Sequence, residues 1–167
     1  MKNKTIIFFF CLLAIGCTKK GNTNVVLNGK LTDCPGNSTC SYNYYDNADF
    51  KDWSNPVHGN FRVFWYKSVN NTLCDAANEI YFKTPMSDGD FDITSSQIAS
   101  GQVSGYGFSC ACCDVVGNVK TLGGEIKGKR SDGTHWLINA SVIIGTDSHG
   151  PIDTIVVNQY FSQQALP

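Results

Sequence analysis

The feature that most constrains the fold is a strict alternation of side chains in the last third of the chain. From Trp136 to Ile144, every second residue is apolar, and a more polar set occupies the positions between them. A period of two places alternate residues on opposite faces of a β-strand, so this stretch predicts a strand with one face in a core. Upstream, Gly124, Ile126 and Gly128 alternate in the same way with charged residues.

The Asp-Gly pair at 132–133 predicts that these two strands form a hairpin. A two-residue loop would place Lys129 opposite Trp136 and so put a charge on the apolar face. A three-residue loop at 131–133 places Gly128 opposite Trp136 instead. We therefore predict the three-residue loop, in which the glycines of the upstream strand leave room for the indole ring.

The rest of the chain is interpreted as short strands separated by turn residues, because no segment shows a 3.6-residue apolar stripe of helical length. One short helical turn is expected at Ala48–Trp53. The predicted strands are Val25–Leu31, Ser41–Tyr45, Phe61–Lys67, Glu79–Lys83, Phe91–Thr94, Gln102–Cys110, Leu122–Lys129, His135–Ile144 and Asp153–Phe161.

These strands predict an all-β fold, namely an antiparallel two-sheet sandwich of about seven to nine short strands, with a partly closed β-barrel as the alternative. Residues 25–167 are expected to form a single domain, because neither repeats nor a change of composition divides them. Charged residues make up only 16% of the chain and hydrophobic residues 42%, which argues against disorder. Phe61–Tyr66 is apolar on both faces, which is typical of a central strand or of one that meets a ligand.

The first seventeen residues have the order of a secretory signal. Lys2 and Lys4 precede an apolar run from Ile6 to Ile15, which at about ten residues is too short to span a bilayer. The run ends in the segment Leu-Ala-Ile-Gly-Cys at 13–17, which resembles the lipobox of bacterial lipoproteins. Its alanine departs from the leucine that is commonest at that position.

The resemblance implies that a signal peptidase removes residues 1–16 and that Cys17 carries a diacylglycerol. Residues 17–24 would then be the lipidated cysteine and a polar tether, and two or three chains such as palmitate anchor a protein stably. We expect a bacterial cell-envelope protein with a lipid anchor, on a periplasm-facing membrane in preference to the cell surface. The alternative is an ordinary signal peptide in which Cys17 is incidental.

Six cysteines follow the anchor, and an even number in an exported chain predicts disulfides. They are Cys34, Cys40, Cys74, Cys110, Cys112 and Cys113. In one scheme each of the first three bonds to one member of the 110–113 triplet. In the other scheme, Cys34 bonds to Cys40, Cys74 bonds to one member of the triplet, and the two remaining members bond to each other. We favour this scheme because turn residues fill positions 35–39. A thiolate metal site or a redox pair is the alternative. The two Cys-x-x-Cys pairs of a structural zinc site are missing, and Cys110-x-x-Cys113 has the spacing of a redox pair but not the helix N-terminal context that lowers a thiol pKa.

The sequence contains no recognisable catalytic constellation. No Gly-x-Ser-x-Gly motif is present, and His58, His135 and His149 are far apart. The alternating aspartates at 88–92 lack the glycine and glutamate of an EF-hand loop. We therefore predict no catalytic residue, no metal and no cofactor. After removal of the signal, 11 basic residues face 14 acidic ones, so nucleic acid is not an expected partner.

Aromatic residues are dense between positions 42 and 66. Tyr44, Trp53 and Trp65 are candidates for stacking against a sugar ring or a partner chain, and packing in the core is the alternative. Three hypotheses of function remain. The leading one is a non-catalytic binding or structural module, the second is a carbohydrate- or peptide-binding accessory domain, and the third is a small hydrolase or metal-dependent enzyme whose site is assembled only in the fold.

Overall fold

The computed structural model describes residues 27, 29–51, 55–113 and 118–167. Over these residues 60% of the chain is strand and 4% is helix, which confirms the all-β class. The strands are β1 Ser38–Asp49, β2 Val57–His58, β3 Phe61–Asn70, β4 Ala76–Pro85, β5 Phe91–Ile93, β6 Ser104–Ser109, β7 Lys120–Arg130, β8 His135–Thr146 and β9 Gly150–Gln163. A single short helix, α1 Ser95–Ala99, is present among the described residues.

The described strands form one sheet in the order β5-β7-β8-β9-β1-β3-β4-β6, and β2 pairs with β1 alone. Neighbouring strands are antiparallel except β1 and β9, which pair in parallel. This parallel pairing joins two groups of strands that would otherwise form separate sheets. The sheet is therefore mixed rather than purely antiparallel.

The two-sheet sandwich is not confirmed. The strands form one curled, open sheet, a half-barrel, which is closer to the alternative of a partly closed barrel. The right-handed twist between neighbouring strands accumulates across a sheet of this width and brings its two ends toward each other. Sequence patterns predict which face of a strand is apolar, and this information is the same for a sandwich and for a half-barrel.

Helix α1 lies where the curled sheet does not close, between β6 and β7. The Ile98 carbonyl at its end accepts hydrogen bonds from Ser104 Oγ on β6 at 3.4 Å and from Thr121 Oγ1 on β7 at 3.2 Å. This helix was not predicted, because five residues are too few to show a 3.6-residue period, although Thr94 and Gln97 have the spacing of a capping box. Within the described residues, no helix is long and apolar enough to cross a lipid bilayer.

The predicted faces of the β7–β8 hairpin are confirmed, but its predicted register is wrong by two residues. Arg130 lies opposite Trp136, and Gly128 lies opposite Ile138. A shift of two residues leaves every side chain on its own face, so the apolar positions of β8 from 136 to 144 are buried as expected. The register differs because the Asp132 carboxylate accepts a hydrogen bond from the Thr134 backbone N–H at 2.7 Å and so places the turn further along the chain.

The expected role of the glycines also needs correction. A Cβ atom at Gly128 would lie 2.2 Å from the Phe91 ring, so this glycine makes room for β5 rather than for the indole. Gly124 has a φ of +124°, and a Cβ atom there would lie 2.0 Å from the Ser141 carbonyl oxygen. Its glycine is required by the irregular pairing near the start of β7. The Phe91 ring in turn packs 5.6 Å from Trp136.

Two other predicted elements differ from the structure. Ala48 and Asp49 end β1 instead of beginning a helical turn, and residues 52 and 53 of that predicted turn lie outside the described residues. Of the predicted strand Val25–Leu31, the described positions 27 and 29–31 are not in a strand.

Strand β3 is buried on both faces, as its apolar pattern predicted. Its inner face contributes Phe64 and Tyr66 to the main core inside the half-barrel, where Phe64 packs on Phe82 with a ring separation of 4.9 Å. Its outer face contributes Val63 and Trp65 to a smaller cluster. A strand with two apolar faces therefore lies in the middle of the half of the sheet formed by β1, β3, β4 and β6.

The charged side chain of Arg62 faces the inside of the half-barrel. Arg62 is 4% exposed, and its Nε and Nη2 atoms donate to the two carboxylate oxygens of Asp46 at 2.5 and 3.3 Å. Its Nη1 atom donates to the Ser87 carbonyl at 2.7 Å, and the guanidinium lies 4.8 Å from the centre of the Trp136 ring. Asp88 contacts this guanidinium as well. The buried charge is thus paired and hydrogen-bonded, as the low dielectric of an interior requires.

We expect Arg62→Ala to lower the free energy of unfolding by about 3–5 kcal/mol, because it leaves Asp46 without its buried partner. The matched control is Lys30→Ala, which breaks an ion pair with Asp33 whose side chains are 89% and 90% exposed, and which should cost less than about 1 kcal/mol. Urea unfolding of both variants measures the difference. Equal losses in the two variants would show that the Arg62 pair does not stabilise the fold.

Candidate functional site

The sheet opens where β1 and β9 stop pairing. Only Asn43 with Ser162 and Tyr44 with Gln163 are paired in register. Beyond them, the segment 30–33 lies against β9, with the Thr32 N–H donating to the Asn158 carbonyl at 3.0 Å. The opening between β1 and β9 leads into the half-barrel.

A cavity of about 240 Å³ occupies this opening, and we call it the tyrosine cleft. Its walls are the segment from Thr32 to Pro35, the side chains of Tyr42 and Tyr66, and residues 153–157 of β9. Ligand pockets of drug size are about 300–1,000 Å³, so the tyrosine cleft fits a smaller molecule.

The tyrosines of the cleft come from neighbouring strands. Tyr42 on β1 and Tyr66 on β3 are paired in register, and their rings stack with centres 5.4 Å apart. Burial raises the pKa of both phenols, so they are neutral hydrogen-bonding groups at physiological pH. The Cys34–Cys40 disulfide holds the wall next to them, with Cys40 Sγ 3.9 Å from the Tyr66 hydroxyl.

A third tyrosine lies behind the cleft on β6. The Tyr106 hydroxyl donates to Asn78 Oδ1 at 2.6 Å, and Asn78 is itself a lining residue. Burial, and then the negative charge of Asp153, raise the pKa of Tyr106 to about 12. Asn78 therefore brings a side-chain amide, fixed at its oxygen by this phenol, to the lining of the cleft.

The charge of the cleft is negative. Asp33 and Asp153 contribute carboxylates, and among the described residues that line the cleft none is basic. Lys30 lies nearby, with its Nζ 3.7 Å from Asp33, but this ion pair is almost fully exposed and is screened by solvent. The combination of carboxylates, an amide donor, hydroxyl groups and tyrosine rings suits a neutral or cationic polar ligand and disfavours an anion.

A second and larger cavity of about 510 Å³ lies beside α1 and the outer side of β4. Its charged groups are already paired, because Lys83 contacts Asp49 at 2.8 Å and Lys120 contacts Asp147 at 2.6 Å. We take the tyrosine cleft as the better candidate, because a stacked tyrosine pair, an amide side chain and two aspartates lie together around one opening.

The disulfide scheme that we favoured is confirmed. Cys34 bonds to Cys40, Cys74 bonds to Cys112, and the two remaining triplet members, Cys110 and Cys113, bond to each other. The sulfurs of the triplet lie within 4.8 Å of one another, as a metal site would require. In the oxidised protein all three are in disulfides, and a disulfide sulfur is not the thiolate that a metal binds.

The predicted stacking residues do not form an open aromatic surface. Tyr44 is 1% exposed in the main core, and Trp65 is 8% exposed, with its Nε1 donating to Glu79 at 3.1 Å. Trp53 lies outside the described residues, as does Cys17, the predicted lipidation site. Tyr44 and Trp65 are therefore packed in the interior, as the alternative interpretation stated.

Two of the histidines make contacts with residues close to them in sequence. His135 Nδ1 lies 2.9 Å from an Asp132 oxygen, and His149 Nδ1 lies 2.8 Å from Ser148 Oγ, each pair within one turn. Among the aspartates at 88–92, Asp88 contacts the guanidinium groups of Arg62 and Arg130. These contacts stabilise turns and the closed end of the half-barrel.

Comparison with protein-family models, curated proteins and solved structures finds no match to this chain. The function proposed below therefore depends on the geometry and chemistry of the residues themselves. Sequence reasoning placed Tyr42 and Tyr66 in a dense aromatic group, but it missed their association with Asn78, Tyr106 and Asp153. No sequence signal joins these residues, because Tyr42, Tyr66, Asn78 and Tyr106 lie on four different strands that pair side by side, and Asp153 reaches Asn78 only through the curl of the sheet.

The raised pKa of Tyr106 predicts a pH dependence of stability. The folded state holds this phenolic proton more tightly than the unfolded chain, whose tyrosines have the ordinary pKa of 10.0, so its stabilisation is complete below about pH 10 and is lost as the pH rises to about 12. In a titration followed by tyrosinate absorbance, Tyr106→Phe should remove the step near pH 12. The control Tyr160→Phe, at an exposed tyrosine, should leave that step in place. An unchanged titration of Tyr106→Phe would contradict this assignment.

Proposed function

We propose that this chain is a lipid-anchored protein of the bacterial envelope and a non-catalytic binding module, whose tyrosine cleft binds a small hydroxylated molecule such as one unit of a saccharide. The observation that carries the proposal is the cleft itself, in which Asp33, Asp153 and Asn78 surround the stacked pair of Tyr42 and Tyr66.

The chemistry of the cleft supports a hydroxylated ligand. Carboxylates accept hydrogen bonds from sugar hydroxyls, and hydrogen bonds to a charged group are stronger than those between neutral groups. The amide group of Asn78 would instead donate a hydrogen bond to an oxygen atom of the sugar. Tyrosine combines an apolar ring with a hydroxyl group, which matches the mixed apolar and polar surface of a sugar. The open aromatic platform that the sequence suggested is not needed for this mode of binding.

The sequence of residues 6–17 supports the anchor. A polar segment follows Cys17, and Gly29 and Lys30 further along the chain are exposed. The expected disulfides are present and agree with export to an oxidising compartment.

The cleft is tested by nuclear magnetic resonance titration of the protein with glucose, galactose and N-acetylglucosamine. We expect the amide signals of the cleft residues to shift with at least one of these sugars. Asp153→Asn should weaken that binding about tenfold or more, because a hydrogen bond to a charged group is worth about 1.5–3 kcal/mol.

The matched control is Asp147→Asn, which removes an aspartate that is 84% exposed and lies outside the cleft. It should leave sugar binding unchanged. Shifts centred on another surface, or equal affinities for the two variants, would reject the cleft as the binding site.

The anchor is tested by metabolic labelling of the native host with an alkyne fatty acid. The wild-type protein should incorporate the label, and Cys17→Ala should lose it, since the thiol of Cys17 is the acceptor that the lipobox implies. Cys11→Ala is the matched control, because Cys11 lies inside the apolar run and leaves with the signal. Label that persists in Cys17→Ala would rule out this anchor.

A further inference from the structure

Two disulfides lie side by side where β4 begins and β6 ends. One joins Cys74 to Cys112 with a Cα–Cα distance of 6.0 Å, and the other joins Cys110 to Cys113 with a Cα–Cα distance of 5.4 Å. The Cys112 sulfur lies within 4.8 Å of both sulfurs of the second bond. Each bond therefore has a sulfur of the other as a close neighbour.

The first of these bonds is open to reagents in solution. Cys74 and Cys112 are both exposed. Cys74 and Asp75 also adopt φ values of +45° and +52°, a left-handed conformation that costs non-glycine residues energy. Exposed or strained disulfides are the labile ones, and loss of this bond frees the turn to relax.

The third disulfide of the described chain has different surroundings. Cys34 and Cys40 are half-buried, and Cys40 packs against the main core close to the Tyr66 hydroxyl. No other disulfide lies next to it in the described residues. It is thus an internal reference for a bond with a purely structural role.

We propose that Cys74, Cys110, Cys112 and Cys113 form a thiol–disulfide exchange site whose substrates are dithiols, either small molecules or exposed dithiols of proteins. A thiolate of the substrate attacks Cys74 Sγ, the bond to Cys112 breaks, and Cys112 leaves as a thiolate. The Cys112 thiolate attacks Cys110 Sγ, and Cys113 leaves as a thiolate that takes up a proton. The second thiol of the substrate then attacks the mixed disulfide and releases Cys74 as a thiol.

The overall reaction is balanced. The substrate dithiol is oxidised to a disulfide, its two protons appear on Cys74 and Cys113, and the protein retains one bond, between Cys110 and Cys112. Attack on Cys110 is favoured over attack on Cys113, because a bond between the adjacent residues 112 and 113 would be strained. This activity goes beyond ligand binding in the tyrosine cleft and does not depend on it.

The exchange is tested on the oxidised, full mature protein by limiting reduction with dithiothreitol. The reaction is quenched with acid, the thiols are alkylated, and the remaining disulfides are mapped by mass spectrometry. After loss of one disulfide we expect free thiols at Cys74 and Cys113, a Cys110–Cys112 bond, and an intact Cys34–Cys40 bond. Free thiols at Cys74 and Cys112 with an intact Cys110–Cys113 bond would overturn the proposal, as would reduction of Cys34–Cys40 first.

A double variant provides a second test. Cys74→Ser with Cys112→Ser retains the Cys110–Cys113 bond but lacks the neighbouring thiolate, so dithiothreitol should break that bond about tenfold more slowly than in the wild type. An equal rate would overturn the proposal. If the variant does not fold, as judged by circular dichroism, the disulfide map of the wild-type protein decides the question alone.

Discussion

A buried ion pair closes one end of the half-barrel. Arg62 on β3 binds Asp46 on β1, reaches the loop after β4 through Ser87, and covers the ring of Trp136 on β8. These partners belong to both groups of strands, which share only two residue pairs of backbone pairing. Removal of the guanidinium would leave a carboxylate and an indole without the group that connects them, although the contact between Arg130 and Asp88 described above would remain at this end.

The opposite end of the same interior remains open. Along β3 the inward side chains change from Arg62 through Phe64 to Tyr66 and Ser68, that is, from an ion pair through a dry core to hydroxyl groups at the mouth of the cleft. This change along β3 separates the part of the interior that stabilises the fold from the part that is open to a ligand. The closed end and the aromatic core stabilise the fold, and the polar mouth is available for a ligand without loss of the packing beneath it.

The parts of the fold that depend on local patterns could be predicted from the sequence. Alternation identified the buried face of β8, apolar residues on both faces identified β3 as central, and the turn-rich 34–40 segment indicated a short disulfide loop. Long-range geometry could not be predicted in this way. The parallel pairing of Asn43 with Ser162 carries no local signal, and the sandwich expectation was not confirmed for that reason. The cleft was missed for the same reason, because Asn78 and Asp153 meet only through the curl of the sheet.

The narrow parallel pairing of β1 and β9 also has a dynamic consequence. Strands with few shared backbone hydrogen bonds separate at a lower free energy than strands in long ladders, and such local openings occur without global unfolding. The β8–β9 and β1–β3 ladders on either side are long, so we expect each group of strands to stay intact when the boundary between them opens. Because this boundary is the lip of the tyrosine cleft, its transient opening would regulate how large a molecule is admitted and how fast it is released.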